Sequence, residues 1–485
     1  MKHTTNQQKD NPRIGTYLEI LKQDMFLFEV TQKCLKSLDK PEDQMYAILW
    51  APTLVRYVAW VLAEAIKDGQ ERLYFLARDA YPMYIVAKDL AERMDIPIEI
   101  RYLRVSRYSL RIPEYHLLGE NCLDRIFLSG IDVSFYQILK RAGLCQDEIY
   151  SISEELQCDK ILRKNLNPRE IADLKRYVKQ CCKEHKTDML EIIYANSKAA
   201  YDNTLGYLKQ EGLLDSVRYA VVDSGWVGTI QKSIQTLVAQ IQPTRQIDGY
   251  YFGLYELPEE HSGCNYKAYY FEPAGKIRRK AEFSNCLYEV MYSEPCPMVK
   301  GYIKSKEQYV PTFSETDNPN KENLKKNNQT LKLYMKTMIQ IVEQEKNVEH
   351  KPCKGEAETK EYEKSAVKKQ QGDTMVQQLY RTIMATPNAW EAEWYGRQLF
   401  SDDLADDHMR GIANELSQKE IHNLRISRKL MIMLGLLHQE LHESGWIEGT
   451  IVNANKHIAS NLRAAKRAKY LTYIRQSMKA RKTKE

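Results

Sequence analysis

The chain has 485 residues, 28% of them charged and 43% hydrophobic, ordinary globular usage that excludes wholesale disorder and leaves room for more than one core. Its 71 Lys and Arg against 65 Asp and Glu give a formal charge of +6, too nearly balanced to announce a nucleic-acid binder, which ranks last among the partners. No apolar stretch of signal length opens the chain and nowhere do about 18 apolar residues run together, so the expected address is cytoplasmic.

Residues 1–50 read as a helical lead-in to an α/β domain over 51–313. The segment "APTLVRYVAWVLAEAIKDG" places Leu54, Val58, Val61, Leu62 and Ala65 at helical spacing, and Gly69 stands where a helix would end. Next, "RLYFLA" has the apolar character of a central strand, "AYPMYIVAKDLAERM" a helical period, and "IPIEIRYLRVS" the pattern of a second strand. This is a β-α-β unit, whose crossover permits parallel pairing. About 117–214 reads as a helical insertion, in which Cys181, Cys182 and His185 lack the second ligand pair of a structural zinc site. The ten cysteines contain no CxxC pair and read as reduced, mostly buried thiols. The pattern then returns as strand "RYAVVDSG", helix "TIQKSIQTLVAQI" and strand "IDGYYFGLYE". Two such units imply one open sheet. Residues 314–375 read as a polar linker around a short helix, "TLKLYMKTMIQIVEQ", and 376–485 as an α-helical region ending in a basic tail.

Asp79 follows the first strand and Asp223 directly follows "YAVV". If those strands are neighbours, both carboxylates face one crevice, suited to a divalent cation, Mg²⁺ by its oxygen preference, or to sugar hydroxyls. They are the candidate catalytic and metal-binding residues, and the competing role for each is helix capping. In "DSGWVGT", Gly225 and Gly228 allow tight turns, Thr229 is placed to cap the next helix, and Ser224 lies between acid and turn, so an anion loop is expected. Trp226 suits either stacking on a ligand or plugging the core. Along "RYLRVSRYSLR", strand alternation sends Arg101 and Arg107 one way and Arg104 the other, so not all can serve one site; the anion partners are Arg78 and Arg107, the latter close after the strand end, and the alternative is salt bridges with acids on neighbouring helices. The basic run at Lys276, Arg278, Arg279 and Lys280 reads as a solvated face or a site. The tail 462–485, basic with Leu462, Tyr470, Leu471, Tyr473 and Ile474 interleaved, suits peripheral contact with anionic lipid at the inner membrane face.

Together, "LYFLARDAYPMY", "RYLRVSR", "VVDSGWVGTIQKSI", "YYFGLY" and "NCLYEVMYSEP" resemble a region of bacterial surface-polysaccharide (capsular) biosynthesis proteins, often attached to haloacid dehalogenase-like or glycosyltransferase domains. The likeness runs over about Ala51 to Tyr302, with weaker echoes in "TPNAWEAEWYGRQLFSDD". It implies a role in building envelope glycans. The dehalogenase-like DxD nucleophile motif is incomplete, since Tyr81 and Gly225 stand where the second acid belongs, and the acidic pair of a phosphoribosyltransferase is broken at Ser224. The expectation is an α/β fold with an open, mostly parallel Rossmannoid sheet, dehalogenase-like or phosphoribosyltransferase-like. It would bind a phosphorylated sugar or nucleotide and catalyse phosphoryl or glycosyl transfer or hydrolysis. The alternative is a non-enzymatic scaffold that docks glycosyltransferases at the membrane.

Overall fold

The computed structural model describes residues 11–128, 133–258, 263–348, 372–400, 410–413, 415–423 and 444–482. Five strands form one sheet: β1 (Arg72–Leu76), β2 (Glu99–Leu103), β3 (Tyr219–Trp226), β4 (Asp248–Leu254) and β5 (Tyr266–Phe271). Every pairing is parallel and the order is β2-β1-β3-β4-β5. β1 is buried at every position, as a central strand covered on both faces must be. Its two-residue period sends Leu73 and Phe75 into one core and Tyr74 and Leu76 into another.

Helix α1 (Ala51–Lys67) and helix α2 (Tyr81–Arg93) contribute Leu54, Val58, Met83 and Val86 to the larger core. The segment Pro41–Lys67 is long and apolar enough to cross a membrane, and 83% of its most apolar window is buried inside the protein. It serves as a core element. Trp50, Phe252, Tyr288, Tyr292 and Tyr380 sit in the same core, and Tyr380 donates to Thr53 Oγ1 at 2.9 Å. Residues on both sides of position 375 therefore share one packed interior.

After β2 the chain leaves the sheet as α3 (Arg107–Arg111), and it returns toward β3 along α4 (Met189–Gln210). The expected second strand reached Ser106. It stops at Leu103, and Ser106 instead caps α3: its hydroxyl accepts from Ser109 N–H and the Ser109 hydroxyl accepts from Ser106 N–H, both at 2.9 Å. Ile126, Phe135, Ile138, Ile152 and Val178, between the two helices, and Ile193 of α4 build a separate core. Helix α5 (Thr229–Ala239) follows β3, and α6 (Asn285–Met291) follows β5. A hairpin of β6 (Val299–Ser305) and β7 (Gln308–Phe313) then folds back, with Tyr302 stacked on Tyr207 of α4 at 4.2 Å.

Where a short helix was expected in the linker, α7 runs from Lys321 to Val348, 28 residues. Its polar run was deceptive because only one stripe is buried, Leu331, Tyr334, Met335, Met338 and Ile341. The tail forms α8 (Ile458–Lys482).

Candidate functional site

From β1 the chain passes to β2 on one side, while β3 to β5 lie on the other, so the strand order reverses between β1 and β3. In open α/β sheets a crevice opens at that switch point, outside the carboxyl ends of the strands. Asp79 and Asp223 meet there. The Ser224 hydroxyl lies 3.2 Å from Asp79 Oδ2, to which it donates, and 3.5 Å from Asp223 Oδ1; its N–H donates to Asp223 Oδ1 at 2.8 Å. Asp223 lies within its strand, as the run "RYAVVDSG" predicts, and β3 continues to Trp226 opposite β4. Helix capping does not explain Asp79, since the N-cap of α2 is Ala80 and makes no side-chain cap.

Both carboxyls are harder to ionise than ordinary ones. Burial and then the charge of Asp79 push Asp223 up to about 8. Burial also raises Asp79, against the pull of Arg78, the Ser224 hydroxyl, Arg107 and the Ser293 hydroxyl. Beneath them, the Tyr57 hydroxyl donates to the Asp223 and Tyr250 carbonyls at 2.9 and 3.1 Å and fixes the floor.

The loop beyond Asp223 is rigid. Gly225 has φ of 113° and a Cβ there would lie 2.3 Å from the Gly253 carbonyl oxygen, so no other residue fits. Trp226 also takes a positive φ, 75°, and its carbonyl accepts from Tyr255 N–H at 2.8 Å. Its ring packs among Tyr255, Phe271, Phe283 and Tyr288, while the indole N–H donates to Glu289. That is the packing role of the two open to it, although one edge still borders the cavity. Gly228 (φ 72°), not Thr229, is the N-cap of α5, and Thr229 is the first helical residue. The unsatisfied N–H groups of that first turn lie at the cavity, which Thr229 and Ile230 line.

The cavity measures about 890 Å³. Arg78 and Arg107 line it, and among the described residues neither guanidinium has a hydrogen bond or an acid within ion-pair distance. Arg101 and Arg104 are excluded: Arg101 bonds Glu99 and the Glu211 carbonyl, and Arg104 grips Glu294 through bonds of 2.8 and 3.0 Å. Arg107 stands just past the strand end, as expected, as the first residue of α3. The sequence reading missed Arg111, 7% exposed and also in the cavity wall. Its signal was present, because residues four apart share a helix face, but it required recognising Ser106 as a cap. Ser293 and Glu289 were likewise missed, although their segment had been singled out. The basic run after β5 is structural: Lys280 donates to the Pro273 carbonyl at 2.7 Å, Arg279 to the Tyr270 carbonyl at 3.0 Å, and Arg278 pairs with Glu282.

Among the described residues no three His, Cys, Asp or Glu side chains gather to hold a metal. Two carboxylates do suit Mg²⁺, which keeps several waters and is usually bound by one or two carboxylates together with substrate phosphate. The buried acid pair is the fitting donor set, because a divalent cation would offset the burial cost that raises both carboxyls and the charge of Asp79 that adds to it at Asp223. No family model matches the chain, and no curated protein matches its sequence.

Proposed function

We propose that this cavity binds a phosphorylated sugar or nucleotide and that the protein acts in surface-polysaccharide assembly by phosphoryl or glycosyl transfer or hydrolysis. One observation carries the reading: two buried carboxyls bridged by Ser224 face unpaired arginines across a single cavity at the switch point of a parallel sheet. Arg78 and Arg107 would hold phosphoryl oxygens, with the first turn of α5 as a further anion site. A divalent cation held by Asp79 and Asp223 would stabilise charge developing on the phosphoryl group. Of the two fold types expected, the dehalogenase-like one fits better, with an acid just after the first strand and a second acid on its neighbour. Neither acid has a carboxylate two residues on, so proton transfer would fall to the pair itself. The glycan role rests on the sequence resemblance.

Titration calorimetry with inorganic phosphate in the presence of Mg²⁺ tests the site. Asp223→Asn is expected to weaken binding at least tenfold with no fall in melting temperature, and an unchanged affinity would remove the site.

A membrane-docked scaffold is supported by α8. Its inner face is anchored, Tyr473 stacking on Tyr255 at 5.2 Å and the Ser477 hydroxyl accepting from Gly275 N–H at 2.9 Å. Leu471 and Met478 are 55% and 58% exposed, beside exposed Arg467 and Arg475. Apolar and cationic groups on one outward stripe suit an anionic bilayer surface. The full chain is expected to float with anionic vesicles. A triple change, Leu471→Glu, Ile474→Glu and Met478→Glu, is expected to abolish flotation and keep phosphate binding; if the triple variant still floats, the helix is not the contact.

A further inference from the structure

Asp79, Asp223, Arg78 and Arg107 have roles in the proposed phosphate site, whereas Arg111, in the same cavity wall, has none. This guanidinium is 7% exposed and lines the cavity, yet among the described residues it has no hydrogen bond and no acid within ion-pair distance. Its charged neighbours are Arg107, Arg125 and Glu114, cations outnumbering the acid. Glu114 is itself taken, since Arg125 Nη1 donates to it at 2.6 Å. A buried cation so placed is costly unless something compensates it. The open side of Arg111 is the cavity, so the compensating anion belongs to the ligand.

Arg107 and Arg111 stand four residues apart on α3 and therefore side by side. Arg107 is within electrostatic reach of Asp79 and Asp223 and also of Arg111, and all four line the cavity. At about 890 Å³ the cavity is far larger than one phosphate requires and lies in the range of sites for whole small molecules.

We infer that the ligand carries two linked anionic groups, one beside Asp79 and Asp223 and a second against Arg107 and Arg111, as a diphosphate ester does. The inference rests on the proposed phosphate-binding reading and narrows it. A monophosphate would leave Arg111 uncompensated. A diphosphate would place its outer phosphoryl in the guanidinium pair, where bidentate hydrogen bonds fit.

The probes are inorganic phosphate and pyrophosphate, titrated calorimetrically with Mg²⁺ into the full chain and into Arg111→Met, which removes the charge and keeps most of the volume. The wild-type protein is expected to bind pyrophosphate at least tenfold more tightly than phosphate, and the variant to lose that preference. A variant that keeps the wild-type ratio overturns the assignment of Arg111. A wild-type protein that binds phosphate with no preference for pyrophosphate overturns the diphosphate inference and leaves the phosphate site standing, whereas binding of neither anion removes both. Melting of the wild-type protein gives the same comparison without the variant: pyrophosphate is expected to raise its melting temperature more than an equal concentration of phosphate, and equal shifts count against the inference.

Discussion

Two basic stretches of the chain, 101–111 and 458–482, place their charges in opposite ways. On α8, Lys466 donates to Glu282 at 2.5 Å and Lys469 to Glu448 at 2.7 Å, and both acids are buried. These lysines complete the interior. Near the sheet, Arg101 pairs with Glu99 and Arg104 with buried Glu294, but Arg107 and Arg111 have no such partner among the described residues and open onto a cavity. Counting charges does not separate the two stretches; asking which charges are matched does.

The largest test of that contrast is stability. Lys469→Met leaves Glu448 buried without its cation and is expected to cost about 3 kcal/mol in urea unfolding. Arg111→Met relieves an unmatched charge and is expected to cost nothing or to stabilise. Equal losses would erase the distinction.

A smaller effect concerns pH. Asp223 holds its proton to about 8 in the folded protein, well above an unfolded Asp near 4. The folded state therefore binds more protons between those values, and stability falls as pH rises through that window. Asp223→Asn removes this contribution, so with metal chelated the variant is expected to gain on the wild-type protein from pH 5 to pH 8. The gain is at most about 1.4 kcal/mol per pH unit. Parallel stability curves would show that the buried acid pair is not strained.

The floor of the site was legible because it is local. An apolar run ending at Ala77, a second ending at Val222, and Gly225 and Gly228 at turns each announce themselves within a few residues. The walls were not, since they come from segments brought together only by the fold. Ser293 reaches Asp79 from the end of α6. β5 was missed because "YKAYYF" lies beyond the turn-rich loop after β4 and pairs with a register shift between Tyr251 and Gly253. The hairpin of β6 and β7 escaped for a related reason: most of its positions are half-buried or exposed, so no clear alternation marks it.

The insertion leaves the sheet after β2 and rejoins it before β3, with its own interior. Floor and roof are thus separate stretches of polypeptide: Asp79 just past β1 and Asp223 in β3 supply the acids, and α3, where the chain leaves the sheet, supplies Arg107 and Arg111. Lengthening or reshaping such an insert costs little, because loop-closure entropy grows only with the logarithm of length. Ligand choice in this architecture can be retuned by exchanging the roof while the acidic floor stays in place.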